Sequence, residues 1–384
     1  MAFYLGFKEI WRNKGRFLLI SLVIALITTL VLFIAALAEG LGLGNREYIE
    51  KLNAELVLYQ KDVEFSIPSS RVGRSELNNV ARVPGVSAVG PIGFSNTSLI
   101  LPGQEPLDTS LIGVEPGKPG APPVLAGQVL QSRRAKEAVI DQNVVAETGL
   151  KVGDTFTIKT IQGTEEQFYT LTVTGISDSR RYSIQPSIFV PILAWEEIKP
   201  KAAPESDPDQ EFIFNVIAVK LQDPASRELM AERIEQQVSD LETADLKTAY
   251  ENTPGYGPQQ STLSTQRTFT LLIGILVIGG FFQIQTLQKV AQIGVLKAIG
   301  ASNLTVATAA MLQIITVTVL GIAIGALGTL GLSLALSSIS AIVFTPAAVA
   351  TAIITLLLIG PLGGLVSIRV LLRVEPLRAL GLGA

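Results

Sequence analysis

Neither cysteine nor histidine occurs in the 384 residues, which removes thiolate and imidazole nucleophiles, disulfides, Cys/His zinc sites and a histidine general base. Any chemistry must therefore use carboxylates, Lys, Tyr, Ser or Thr, and no spacing of these forms a recognisable catalytic, cofactor-binding or metal-binding set. Gly40, Gly42 and Gly44 come nearest to a phosphate loop. That run lacks the preceding strand and the following Lys-Ser/Thr that give such a loop its function. No G-x-x-x-x-G-K-[ST] sequence is present, so no cofactor is expected on this chain.

The informative spacings are mechanical. Residues 288–303 are short and mostly apolar, with Lys289 and Lys297 and the small residues Gly294, Ala298, Gly300 and Ala301. They read either as an interfacial linker or as a coupling helix seated in a partner's groove. In the second case the small residues allow close backbone approach, and Ile293, Val295 and Leu296 supply apolar contacts. Residues 2–13 are a similar amphipathic candidate, with Trp11, Arg12, Lys14 and Arg16 as anchors at a membrane surface. Gly321, Gly325, Gly328 and Gly331 recur every three or four residues, a pattern that permits tight helix packing.

These features require apolar elements to hold them. Only 16% of residues are charged, against roughly a quarter in soluble domains, and three long, strongly apolar stretches have no charge: Phe17–Ala38, Thr268–Gln288 and Ala298–Ile368. The first, 22 residues, is about 33 Å long as a helix and matches a hydrocarbon core of about 30 Å. Signal-peptide apolar regions run about 7–15 residues, so it reads as an uncleaved anchor. The third, 71 residues, is broken by Ser337, Ser338, Ser340 and Thr345-Pro346 and reads as two helices. Four spans follow, at 17–38, 268–288, 304–336 and 345–368. Their flanks, 1–16, 289–303 and 369–384, hold nine basic and two acidic residues, including Arg373 and Arg378 as anchors in the tail. This net +7, set against −3 for the chain, leaves −10 for residues 39–267. Basic flanks lie on the cytoplasmic side, which predicts cytoplasmic termini and 229 residues outside. The spans contain no charge, only amides such as Gln283, Gln285 and Gln313 and hydroxyls, unlike the binding sites of small-ion transporters.

The outer segment reads as α+β. Glu55–Tyr59 is a strand, Arg74–Arg82 a short helix and Val86–Val89 a further apolar run. A second unit comprises a strand over Phe212–Leu221, an amphipathic helix over Pro224–Leu241 with Leu229, Ile234, Val238 and Leu241 inward, and a strand over Leu246–Tyr250. Together they predict a split α/β domain at 53–90 and 211–250, with a β-rich insertion at 91–210 and two separate cores. Thr155–Ile161 and Gln167–Ile176 are its best strands, and helical stalks are expected at 39–52 and 251–267.

Gln288-Lys289-Val290-Ala291-Gln292-Ile293-Gly294-Val295-Leu296-Lys297-Ala298-Ile299-Gly300-Ala301-Ser302 is similar to the signature R-E-I-G-[VIL]-[LR]-[KR]-A-[LI]-G-A-S, with Ala291-Gln292 where Arg-Glu is usual. Trp11-Arg12-Asn13-Lys14, Val83-Pro84-Gly85-Val86, Gly149-Leu150-Lys151-Val152-Gly153-Asp154 and the tail Arg373-Val374-Glu375-Pro376-Leu377-Arg378-Ala379-Leu380 fit the same pattern. In this order, over nearly the whole chain, they resemble the permease subunit of the MacB/FtsX-like ABC transporters, the mechanotransmission class. The resemblance implies a prokaryotic inner-membrane protein that is not itself an enzyme. It also implies a separate ABC ATPase docking on residues 293–301, a second permease copy, and an adaptor in a two-membrane envelope. Nucleic acid is not an expected partner. Export of a peptide, lipid-linked or hydrophobic molecule is the leading expectation; control of a cell-wall hydrolase, lipoprotein release and a membrane-anchored binding module are the alternatives.

Overall fold

The computed structural model describes residues 11–201, 212–335 and 342–372. Most of the amphipathic candidate at 2–13, the end of the third expected span at 336, and Arg373 and Arg378 lie outside them. The chain divides into two compact units, Met1–Leu41 with Gln260–Ala384, and Gly42–Gln259.

The first unit is built from α1 (Lys14–Glu50), α2 (Tyr256–Gln288), α3 (Val290–Ala298), α4 (Asn303–Ala335) and α5 (Pro346–Leu372). Helix formation is dictated by solvent: backbone in hydrocarbon must satisfy its own hydrogen bonds. Among the described residues, four helices are long and apolar enough to cross a bilayer, over Lys14–Gly44, Tyr256–Gln288, Asn303–Ala335 and Pro346–Leu365. Ile20, Ile24 and Val31 of α1 pack with Phe282 of α2, Val317 of α4 and Ile359 of α5. Leu22, Leu26, Leu276 and Leu327 face outward.

The glycine stripe of α4 packs on α1. A Cβ at Gly321 would lie 2.6 Å from Ile24, and one at Gly325 would lie 2.5 Å from the Ala25 carbonyl. Among the described residues, Gly328 approaches only Thr29, and Gly331 has no such neighbour. Thr29 and Thr329 both donate to the Gly325 carbonyl, at 3.1 and 2.8 Å, so hydroxyls join the packing where no water competes.

The second unit is organised on a ten-stranded sheet. In spatial order its strands are Leu241–Asp245, Leu56–Gln60, Val216–Leu221, Val86–Ile100, Leu107–Val114, Ser187–Pro191, Glu137–Asp141, Glu165–Ser177 and Val124–Gly127. Thr155–Gln162 pairs with both Val86–Ile100 and Glu165–Ser177. Strand alternation sends successive residues to opposite faces. Leu56, Leu58, Ile217, Val219, Ala138 and Ile140 enter one core, while Val57, Tyr59, Val216, Ala218, Val139 and Phe189 enter the other. The two cores are thus opposite faces of one sheet, each drawing on both the split α/β part and the insertion, rather than the centres of two separate bodies. The link is the strand Val86–Ile100, which continues 11 residues past the expected end at Val89.

Other expectations are corrected locally. Leu246–Tyr250 is not a strand: Asp245 accepts from the Thr248 N–H at 2.8 Å and caps a helix, Leu246–Glu251, directly after the edge strand Leu241–Asp245. The helix expected to Leu241 ends at Gln237, and Met230 and Ile234 point inward while Leu229 is 58% exposed. Asn215 splits the strand over Phe212–Leu221. Buried, it accepts from the Phe94 N–H at 2.7 Å and donates to the carbonyls of Ile67 and Ser70.

Overpacking typically costs about 1–3 kcal/mol. Gly325→Leu is expected to lower the thermal stability of the detergent-solubilised chain by at least that amount, whereas Gly331→Leu should be close to neutral. Equal melting of the two variants would show that the α1–α4 contact does not hold the bundle.

Candidate coupling site

Helix α3 is a nine-residue element between two long helices. It breaks from α2 at Lys289, whose ammonium stands 5.7 Å from the Phe17 ring. Arg16 donates to the Gln288 side chain at 2.8 Å. The basic start of α1 is thereby tied to the α2–α3 corner. At the other end, Gly300 has φ +100° and donates to the Lys297 carbonyl, while Ala301 donates to the Leu296 carbonyl, each at 3.0 Å. This pair of bonds is a Schellman cap, which requires the left-handed residue that glycine supplies without a Cβ penalty. Ser302 then accepts from the Thr305 N–H at 3.2 Å and starts α4.

A break at Lys289 and a glycine-capped corner at Gly300 thus bound α3 as a compact projection. Ile293 and Gly294 are buried, Ile293 against Val306. Val295, Leu296, Ala298 and Gly300 are exposed, and Lys297 and Ala301 are half-buried. Lys297 donates to the Leu372 carbonyl at the end of α5, at 3.0 Å. Trp11, Arg12, Lys14 and Arg16 are all exposed. Sequence reasoning missed Ile299, 79% exposed. Its signal was the i, i+4 spacing from Val295, which places both on one side of the helix.

The sheet unit contains a second organised cluster, which the sequence did not reveal. The last turns of α1 hold the loop 178–185. Tyr48 N–H donates to the Arg181 carbonyl at 3.2 Å, and Ile184 N–H donates to the Gly44 carbonyl at 3.1 Å. A Cβ at Gly44 would stand 2.9 Å from the Ile184 backbone, so this glycine serves contact with the loop. Glu47 accepts from Lys51 at 2.9 Å and from the Arg181 N–H at 3.1 Å. Buried Arg180 donates to the Lys51 carbonyl at 2.5 Å, and its N–H reaches Asp141 at 3.2 Å. Burial pushes the Asp141 carboxyl up. Burial also acts upward on Glu47, but the bonds from Lys51, Ser179 and Arg181 outweigh it and leave its carboxyl below the ordinary 4.5.

Sequence comparison places this arrangement in a class. Residues 17–237 match the MacB-like periplasmic core domain, and residues 268–376 match the FtsX-like permease C-terminal domain. The first match alone exceeds half of the chain, and the chain belongs to the MacB/FtsX-like ABC transporter permeases. It is a membrane protein with a large extracytoplasmic α/β domain. Membership implies an ATPase partner.

Among its relatives, a protein of Staphylococcus haemolyticus is 26% identical over 377 residues, 98% of this chain and 99% of the relative. One of Staphylococcus epidermidis is 24% identical over 379 residues, 99% of each. Both are named as hemin transport system permease proteins, HrtB. The extracellular domain of the transporter YknZ from Gram-positive bacteria aligns with 50% of this chain and 100% of its own, at 11% identity and a TM-score of 0.35. The MacB periplasmic region of Actinobacillus actinomycetemcomitans aligns with 54% of this chain and 98% of its own, at 14% identity and a TM-score of 0.36. The family assignment rests on the domain matches and not on these superpositions.

The lowered Glu47 carboxyl sets a pH dependence. Its stabilising contribution is complete above the unfolded value near 4.5 and is lost as pH falls through the lower folded value. The stability difference between the wild-type chain and Glu47→Gln should therefore be constant above pH 5 and shrink in more acid solution. Thermal unfolding in detergent across pH 3–7 checks this; a difference that grows toward acid would contradict it.

Proposed function

We propose that this permease relays the motion of a separate ABC ATPase to its extracytoplasmic domain and so exports a hydrophobic, amphipathic molecule of the hemin class. The carrying observation is the exposed apolar side of α3. Val295 and Ile299 are held outward by a glycine-capped corner within the FtsX-like domain. An exposed apolar projection of this kind needs a complementary groove, and the basic flanking residues favour its placement on the cytoplasmic side, where ATP and Mg bind the partner. The termini are then cytoplasmic as well.

Helix α1 supports the relay. It is one helix of 37 residues, contributing its first part to the membrane unit and its last turns to the sheet unit. Those last turns carry the Glu47, Tyr48 and Lys51 clamp, so a displacement along the helix would act on a fixed point of the sheet unit. A second copy of the chain, with outward-facing leucines available for contact in the bilayer, would complete a symmetric assembly with two ATPases.

The substrate class is supported by the two staphylococcal relatives, whose printed names concern hemin and whose alignments span both domains. They favour transport over control of a cell-wall hydrolase.

Two measurements test this reading. Combining Val295→Asp with Ile299→Asp should reduce the ATPase recovered with the detergent-solubilised full-length protein at least tenfold, while Phe168→Asp, an exposed change in the sheet unit, should leave recovery intact. Equal recovery in all three would remove the coupling role. Deleting the gene from its host should lower hemin tolerance, with rescue by the wild type and not by the double variant; unchanged tolerance would overturn the substrate class.

A further inference from the structure

The helical unit holds a half-open cavity of about 400 Å³. Its lining combines two cations, Arg12 and Lys289, and amides, among them Gln285 and Gln313, with an apolar wall that includes Phe282 and Ile314. Among the described residues none of the lining is Asp or Glu. The charge of the described lining is therefore +2, within a bundle whose helices carry long uncharged stretches.

Gln285 gives the site its direction. It is only 4% exposed, it lines the cavity, and its side-chain Nε2 finds no acceptor among the described residues. Buried amide donors are nearly always paired, so an unpaired buried donor on a residue that lines the cavity beside two cations marks a place for an anionic acceptor. Lys289 is held near this place by the Phe17 ring. The cavity exceeds what a bare phosphate fills, and its apolar wall suits the glycerol and first methylenes of a lipid. Basic pockets between membrane helices on the cytoplasmic side are recognised seats for anionic headgroups.

We propose that this cavity binds the phosphate headgroup of an anionic phospholipid of the cytoplasmic leaflet, with Gln285 donating to a phosphate oxygen and Arg12 and Lys289 supplying the charge. The choice of leaflet rests on the orientation given under Proposed function. Leu296 and Ile293 of α3 form part of the same wall. Occupancy therefore bears on the position of the coupling helix and gives the leaflet's composition a way to tune the relay.

Native mass spectrometry of the full-length, delipidated protein in detergent tests the proposal without ATPase or substrate. Phosphatidylglycerol, phosphatidylcholine and inorganic phosphate are added separately and in competition. The wild type should retain phosphatidylglycerol at least tenfold better than phosphatidylcholine. Arg12→Gln and Lys289→Gln should each reduce that retention about fivefold, and Gln285→Leu should reduce it too. Arg369→Gln, a cation of the same unit outside the lining, should not. Should Gln285→Leu fail to fold, the two charge variants decide the matter. Absence of lipid preference, or equal loss in Arg369→Gln, would overturn the site. Displacement of the lipid by millimolar inorganic phosphate would make it a free-anion site and overturn the lipid assignment. Failure here leaves ATPase recovery unchanged, and loss of the ATPase interaction leaves lipid retention unchanged, so the two proposals fail separately.

Discussion

In hydrocarbon a backbone has no water to bond with, and helices gain nothing by hiding leucine from lipid. The membrane unit depends on how it meets these two conditions together. Its hydrogen bonds are internal to the helices, and its association relies on close approach at residues without side chains. Gly321 and Gly325 bring α4 against α1. A Cβ at Gly364 would lie within 3.2 Å of the Ile314 γ-carbon, one at Gly279 2.9 Å from the Gly363 carbonyl. Hydroxyls of Thr29 and Thr329 share the Gly325 carbonyl at the first contact. With the long helices positioned in this way, the short α3 is held between two fixed ends.

The sheet unit works in water, and a different force organises it. Both faces of the central strands are covered by apolar side chains, which explains the near-continuous Leu-Val-Leu-Tyr and Val-Ile-Ala-Val runs. Two polar side chains that enter this interior are fully engaged: Asn215 makes three bonds to backbone groups, and the Trp195 indole N–H donates to Ser95. At its edge, the end of α1 is held by charge-assisted bonds through Glu47, Lys51 and Arg180, which are stronger and more directional than neutral ones. These bonds fix the last turns of α1 to the loop 178–185 within the sheet unit.

Cap chemistry links the two physical regimes. At Gly300 a positive φ ends α3 and exposes Ile299. At Gly44 the missing side chain lets the loop backbone reach a helix carbonyl. Each glycine produces an exposed or joined surface at a place where an ordinary residue would have continued the helix or kept the chains apart. The Ala291-Gln292 pair, where the family signature usually has Arg-Glu, is exposed on α3 and brings no charge to it.

What the sequence determined by itself was the part governed by local composition. Uncharged stretches of fixed length located the apolar helices, the basic flanks suggested their orientation, and the 288–302 signature identified the family before any coordinates. The run Glu55–Tyr59 already marked a short strand. Tertiary structure decided the rest, because it depended on residues far apart in the chain. Only folding brings Glu47 to Arg181 and Asp141 to Arg180, pairs 134 and 39 residues apart. Only packing shows that the α4 glycines face α1, that one long strand joins two expected domains into a single sheet, and that Asp245 begins a helix where an apolar run read as a strand. Periodicity reports which side of an element is apolar; it does not say which other element that side meets, and that choice is set by the geometry of the whole chain.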